Sequence, residues 1–147
     1  MPKVLLIDND EDFQNKLRKG FEDYDNEFDF ALPGDAGLTK YKDYIPDLVL
    51  INYCHCKKDA KMMFDQILRF DSTACIIVLL NDDEKNLISE MYKYGARSTI
   101  SSPKKLKTDK DTKIIMDQMF EVCAELKFEE CVGCWKTQRF SSTIKFN

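Results

Sequence analysis

Short, wholly apolar runs alternate along this chain with longer stretches in which apolar residues return every three or four positions. Residues 4–7 (Val-Leu-Leu-Ile) are the first such run, and it stops at Asp8. Across residues 12–22, Phe13, Leu17 and Phe21 fall at i, i+4 and i+8, the spacing of one helical face. Residues 27–32 alternate, with Phe28 and Phe30 on one side, and stop at the turn signal Pro33-Gly34. Residues 36–44 predict a short helix, and Pro46-Asp47 opens a second fully apolar strand at 48–51. Residues 60–70 put Met63, Ile67 and Phe70 on one helical face, and residues 75–80 are a third fully apolar strand. Residues 85–94 predict a helix closed by Gly95, a residue type favoured just past helix ends. Residues 98–101 predict a short strand before Pro103, and residues 112–128 a long helix with Ile115, Met119, Val122 and Leu126 on one face.

Five strands and five helices in strict alternation predict an α/β fold. Fully apolar strands are those buried on both sides, so the expected architecture is an open, doubly wound five-stranded parallel sheet in a three-layer sandwich. A length of 147 residues suits one hydrophobic core, expected over residues 1–128, with residues 129–147 as a C-terminal extension. A net charge of -4 lacks the basic field of a nucleic-acid binder. No apolar run nears the roughly 20 residues that span a bilayer. The amino terminus meets charge too early for a signal peptide. The expected location is therefore the cytoplasm, without membrane contact, where the six cysteines would be reduced thiols.

In a sheet of this type ligands bind at the carboxyl ends of the strands, near the switch in strand order. The residues expected there are Asp8-Asn9-Asp10-Glu11, Asn52-Tyr53, Leu80-Asn81 and Ser101-Ser102-Pro103. With Tyr94-Gly95-Ala96 before the last strand, these motifs in this order resemble the CheY-like receiver domain of response regulators, over roughly residues 2–128. The resemblance implies a flavodoxin/CheY-like (βα)5 fold with strand order 2-1-3-4-5 and a role in two-component, phosphorelay-type signal transduction. In that family an acidic pair after the first strand and an Asp ending the third hold magnesium. That last Asp takes the phosphoryl group. A Thr or Ser ending the fourth strand and a Lys before a Pro contact the phosphoryl group, and an aromatic residue in the fifth strand reports the switch. Here the first acid is kept as Asp8, but the second position is Asn9, the phosphoacceptor Asn52, the hydroxyl Leu80, the lysine Ser102 and the switch aromatic Thr99.

These departures reinforce one another. A neutral amide is a far weaker nucleophile towards phosphorus than a carboxylate. Magnesium wants hard anionic oxygens, so Asp8, alone or with Asp10, makes at most a weak site. Leu80 and Ser102 remove the donors that would stabilise transferred charge. A blander role for Asp8 is to favour the dipole of the first helix. The expectation is a pseudo-receiver that is not an enzyme, needs no cofactor and acts by binding another protein. The alternatives are a conventional phosphoaccepting receiver and a thiol or zinc sensor on the same scaffold.

Cys54-His55-Cys56 and Cys131-Val-Gly-Cys134 carry the zinc alternative, because zinc sites use such ligands and Cys-x-x-Cys is a common half-site. The last helix should separate them by roughly 25 Å, so one shared site would need tail reversal or a second chain. As a redox pair Cys131 and Cys134 would follow a helix, where the dipole disfavours thiolate. Cys75 and Cys123 read as small core residues. For a partner, the resemblance implies the face of the fourth helix, fifth strand and fifth helix, which is also a candidate homodimer contact. Residues 102–110 there carry four lysines against one Asp, and Arg97, Thr99, Lys104, Lys105 and Lys107 are the candidate contacts, set against a plain solvated loop. Residues 131–147 hold Trp135, Phe140 and Phe146 with Lys136, Arg139 and Lys145 and no acids. They are read as an interface anchor, a segment packed on its own domain, or the remnant of a longer chain.

Overall fold

A computed structural model describes residues 2–125. In chain order the elements are β1 (Lys3–Ile7), α1 (Glu11–Phe21), β2 (Glu27–Ala31), α2 (Asp35–Tyr44), β3 (Leu48–Asn52), α3 (Tyr53–Cys56), α4 (Ala60–Phe70), β4 (Ile76–Leu80), a 3-10 turn (Asp82–Leu87), α5 (Ile88–Tyr94), β5 (Ser98–Ser101) and α6 (Asp109–Glu125). The strands form one parallel sheet in the order β2-β1-β3-β4-β5. The chain reverses direction of winding between β1 and β3, so the carboxyl ends of those strands flank the crevice where ligands bind in such sheets.

The period-two alternation of strand side chains divides the core into two layers. Val4, Leu6, Leu48, Leu50, Ile77, Leu79 and Ile100 face α1 and α6. Leu5, Ile7, Val49, Ile51, Ile76, Val78 and Leu80 face α2, α4 and α5. Residues 4–7 are wholly buried, and each such aliphatic side chain contributes about 1.5–3 kcal/mol. The sandwich predicted from the apolar runs is thus observed, and Cys75 and Cys123 lie in its core. Leu126 and residues 129–147, Cys131 and Cys134 among them, lie outside the described residues.

Local chemistry sets the helix ends and departs from the expectations in four places. Asp10, in extended conformation, caps α1 by accepting from the Phe13 amide at 3.2 Å. The dipole-facing role expected of Asp8 therefore falls to Asp10, with Glu11 and Asp12 in the first turn. Residues 53–56, expected as loop, wind into the single turn of α3. The helix expected at 85–94 starts earlier as a 3-10 turn, because Asn81 and Glu84 form a reciprocal capping box that tightens the chain there. Phe70, placed on the buried face by its spacing, is 50% exposed as the last residue of α4. Its ring instead meets Tyr41 edge-on, with the Lys42 ammonium 5.4 Å from its centroid.

Gly95 closes α5 with φ 115°, and a Cβ there would lie 2.4 Å from Leu68 Cδ1. The backbone requires glycine, and a Cβ would in addition force the Leu68 side chain to shift. Gly95→Ala should lower the unfolding free energy by about 2 kcal/mol, measured by urea denaturation.

Candidate functional site

The carboxyl edge of the sheet is built around Asp8, the residue after β1, which is fully buried. Its Oδ1 accepts from the Asn9 amide at 2.9 Å and lies 3.4 Å from the Asp10 amide. The same oxygen faces His55 Nδ1 at 2.5 Å. Oδ2 is buried with no hydrogen-bond partner. The Asp8 carbonyl accepts from the buried side chain of Gln14 at 2.6 Å, which ties the strand end to α1.

His55 reaches Asp8 because α3 begins directly after Asn52, and three residues make nearly one helical turn. Asn52 and His55 therefore share one side of the turn, with Asn52 Nδ2 3.4 Å from His55 Nδ1. A carboxylate oxygen can only accept, so with Asp8 ionised the shared proton sits on Nδ1, and the Asn52 amide is a polar neighbour. The Asn52 side-chain oxygen accepts from the Cys54 thiol at 3.3 Å, and the Cys56 thiol donates to the Ile7 carbonyl at 3.5 Å. The ring of Phe13 meets the imidazole edge-on at 6.5 Å, and the His55 side chain keeps 24% exposure.

The other side of the edge comes from β4 and β5. Leu80 is buried in the core layer that faces α2, α4 and α5, at 3% exposure. Glu84, also buried, accepts from the Asn81 amide at 3.1 Å through Oε1. Its Oε2 has no hydrogen bond, and Lys57 Nζ at 3.8 Å attracts it from the solvent side. Ser102 is buried and turns its hydroxyl to the Pro103 carbonyl at 3.1 Å. Lys104 is ion-paired with Asp83.

Burial decides the electrostatics. Removing the Asp8 carboxylate from water raises it above the usual carboxylate range, and the His55 hydrogen bond offsets this only in part. Burial likewise pushes the Cys54 thiol up to about 11, and the Cys56 thiol higher still. The three side chains of Cys54-His55-Cys56 go to three separate acceptors. Among the described residues no group of three or more His, Cys, Asp or Glu side chains is arranged to hold a metal ion.

Asp8, Asn52, Leu80 and Ser102 thus meet at one edge, with Asn9 exposed and Asp10 engaged as a cap. The candidate partner residues do not form one patch. Arg97 precedes β5, with its guanidinium 3.5 Å from the Thr73 carbonyl, whereas Lys104, Lys105 and Lys107 follow β5. Four residues of strand rise by about 3.3 Å each, so Arg97 belongs to the opposite end from the lysines. Thr99 lies between them in β5, half-buried. Two functional-edge residues were not legible as such, namely His55 as the partner of Asp8 and Glu84 as a buried acid. The one usable signal was that His55, the single histidine of the chain, follows a strand end by three residues.

No family model matches the chain. A chemotaxis protein CheY from Halobacterium salinarum is 31% identical over 101 residues, 69% of this chain and 84% of that protein. This chain belongs to the CheY-like receiver family. Solved receivers share the fold at lower identity. CheY4 of Vibrio cholerae superposes with a TM-score of 0.68 at 17% identity, covering 83% of this chain and 98% of its own. A two-component response regulator from Clostridium difficile gives 0.70 at 19%, covering 86% and 99%. Among the described residues no helix is long and apolar enough to cross a membrane.

Two predictions follow from the receiver's buried groups. The native state binds a proton to Asp8 more tightly than the unfolded chain does, whose value is 3.8. The stability gained on protonation is full below that value and lost as pH rises through the raised one. Asp8→Asn should therefore raise the melting temperature at pH 7, with the gain shrinking towards pH 4. The raised Cys54 thiol leaves about a hundredfold less thiolate than an ordinary thiol, partly offset by higher nucleophilicity. Its alkylation at pH 7.5, followed by peptide mass mapping, should be roughly tenfold slower than that of free cysteine.

Proposed function

We propose that this receiver-family domain takes no phosphoryl group and signals as a protein-binding module. The observation that carries the reading is Asn52 at the carboxyl end of β3, a neutral amide whose oxygen already accepts from Cys54. A neutral amide oxygen lacks the charge that makes a carboxylate an effective nucleophile. Leu80 presents an apolar side chain where a donor would be needed, and Ser102 spends its hydroxyl on the neighbouring carbonyl. The zinc-sensor alternative has less support, since the cysteines of α3 turn away from one another to Asn52 and to Ile7.

The face of α5, β5 and α6 supports a binding role. Ile88, Tyr92 and Ile114 stand 38%, 47% and 47% exposed on the two helices, an apolar content suited to a protein contact. Lys105 and Lys107 lie exposed beyond β5 and favour an acidic partner, while Lys104 is already paired with Asp83. A second copy of the chain on the same face is the homodimer form of this reading.

Intact mass after incubation with a small acyl phosphate and magnesium is the test, with an ordinary receiver treated in parallel. The mass should stay unchanged while the control gains a phosphoryl group. A matching gain on this chain would remove the proposal.

A further inference from the structure

Receivers hold magnesium against the carboxylates of this edge, and the residues present here do not fit that ion. Magnesium binds oxygen at about 2.0–2.1 Å, demands near-octahedral geometry and keeps several waters. Asp8 Oδ1 has the His55 ring nitrogen 2.5 Å away and the Asn9 amide at 2.9 Å, which leaves no coordination direction free on that oxygen. Asp8 Oδ2 is sealed from solvent, so an ion there could not keep its waters. Asn9 and Asn52 supply no charge, and the Asn52 oxygen is taken by Cys54. Asp10 is committed to the cap of α1.

We propose that the His55 imidazole occupies the seat a divalent cation would need, so that the pocket is closed to magnesium by one of its own side chains. The ring is delivered from α3, which is itself pinned to the end of β1 by the Cys56 thiol on the Ile7 carbonyl. It supplies a hydrogen bond to the buried carboxylate at the point where an ion would supply charge, and it needs no open coordination shell to do so. Removing the ring leaves Asp8 Oδ1 facing the space it filled, with the Asn52 side-chain amide beside it. The freed carboxylate oxygen is a hard anionic donor of the kind magnesium accepts. This inference deepens the reading of an inert pocket, but the two fail separately. A phosphoryl gain removes that reading, whereas magnesium binding without phosphorylation removes only this one.

The test uses magnesium chloride alone, with melting temperature and isothermal calorimetry on the full chain. The unaltered protein should show no magnesium-dependent shift and no heat of binding. His55→Ala should gain both, and adding Asp8→Asn to it should weaken the acquired binding by roughly tenfold or more. Magnesium binding by the unaltered protein that is lost in Asp8→Asn overturns the proposal. So does a folded His55→Ala variant, checked by circular dichroism, that binds no magnesium. The unaltered protein alone decides the first point if His55→Ala does not fold.

Discussion

The Asp8 carboxylate has to exist without water, and the carboxyl edge of the sheet is arranged around that constraint. A buried charge costs several kcal/mol after relaxation, while a hydrogen bond to a charged group returns about 1.5–3 kcal/mol. The His55 contact therefore reduces the penalty without removing it, and Asp8 stays raised above the usual carboxylate range. One carboxylate oxygen is left without a hydrogen bond.

The scaffold around it is of the opposite kind. Apolar side chains fill both sides of the sheet, and special backbone positions such as Gly95 are matched by the residue they need. Polar groups at the edge are tied to the frame by short links. Gln14 holds the Asp8 carbonyl, Cys56 holds the Ile7 carbonyl and the Asn81–Glu84 box shapes the start of the turn before α5. The first two links join β1, α1 and α3, and the third is local to the turn after β4.

Much of this was legible in the sequence, for physical reasons. Fully buried parallel strands leave unbroken apolar runs, and residues 4–7, 48–51 and 75–80 could hardly be read otherwise. Strand ends marked the edge, so Asp8, Asn52, Leu80 and Ser102 were placed together from order alone. The misreadings involve contacts that sequence spacing does not encode. His55 and Asp8 are 47 residues apart, and a histidine between two cysteines points first to metal. Glu84 drew no reading from the sequence, because its role depends on a capping box with Asn81. Phe70 kept the helical spacing but fell at the helix end, beyond the cover of its neighbours. Arg97 shared a sign with the lysines after β5, but the length of the strand separates them.

The direct measurement of the central claim is nitrogen-detected NMR of the histidine ring, which needs no assignment because the chain contains one histidine. A closed pocket predicts a strongly hydrogen-bonded Nδ1 proton, far downfield of ordinary amides and slow to exchange with water. Asp8→Asn should shift it back markedly. Ring signals of a freely solvated imidazole, unchanged by Asp8→Asn, would contradict the account.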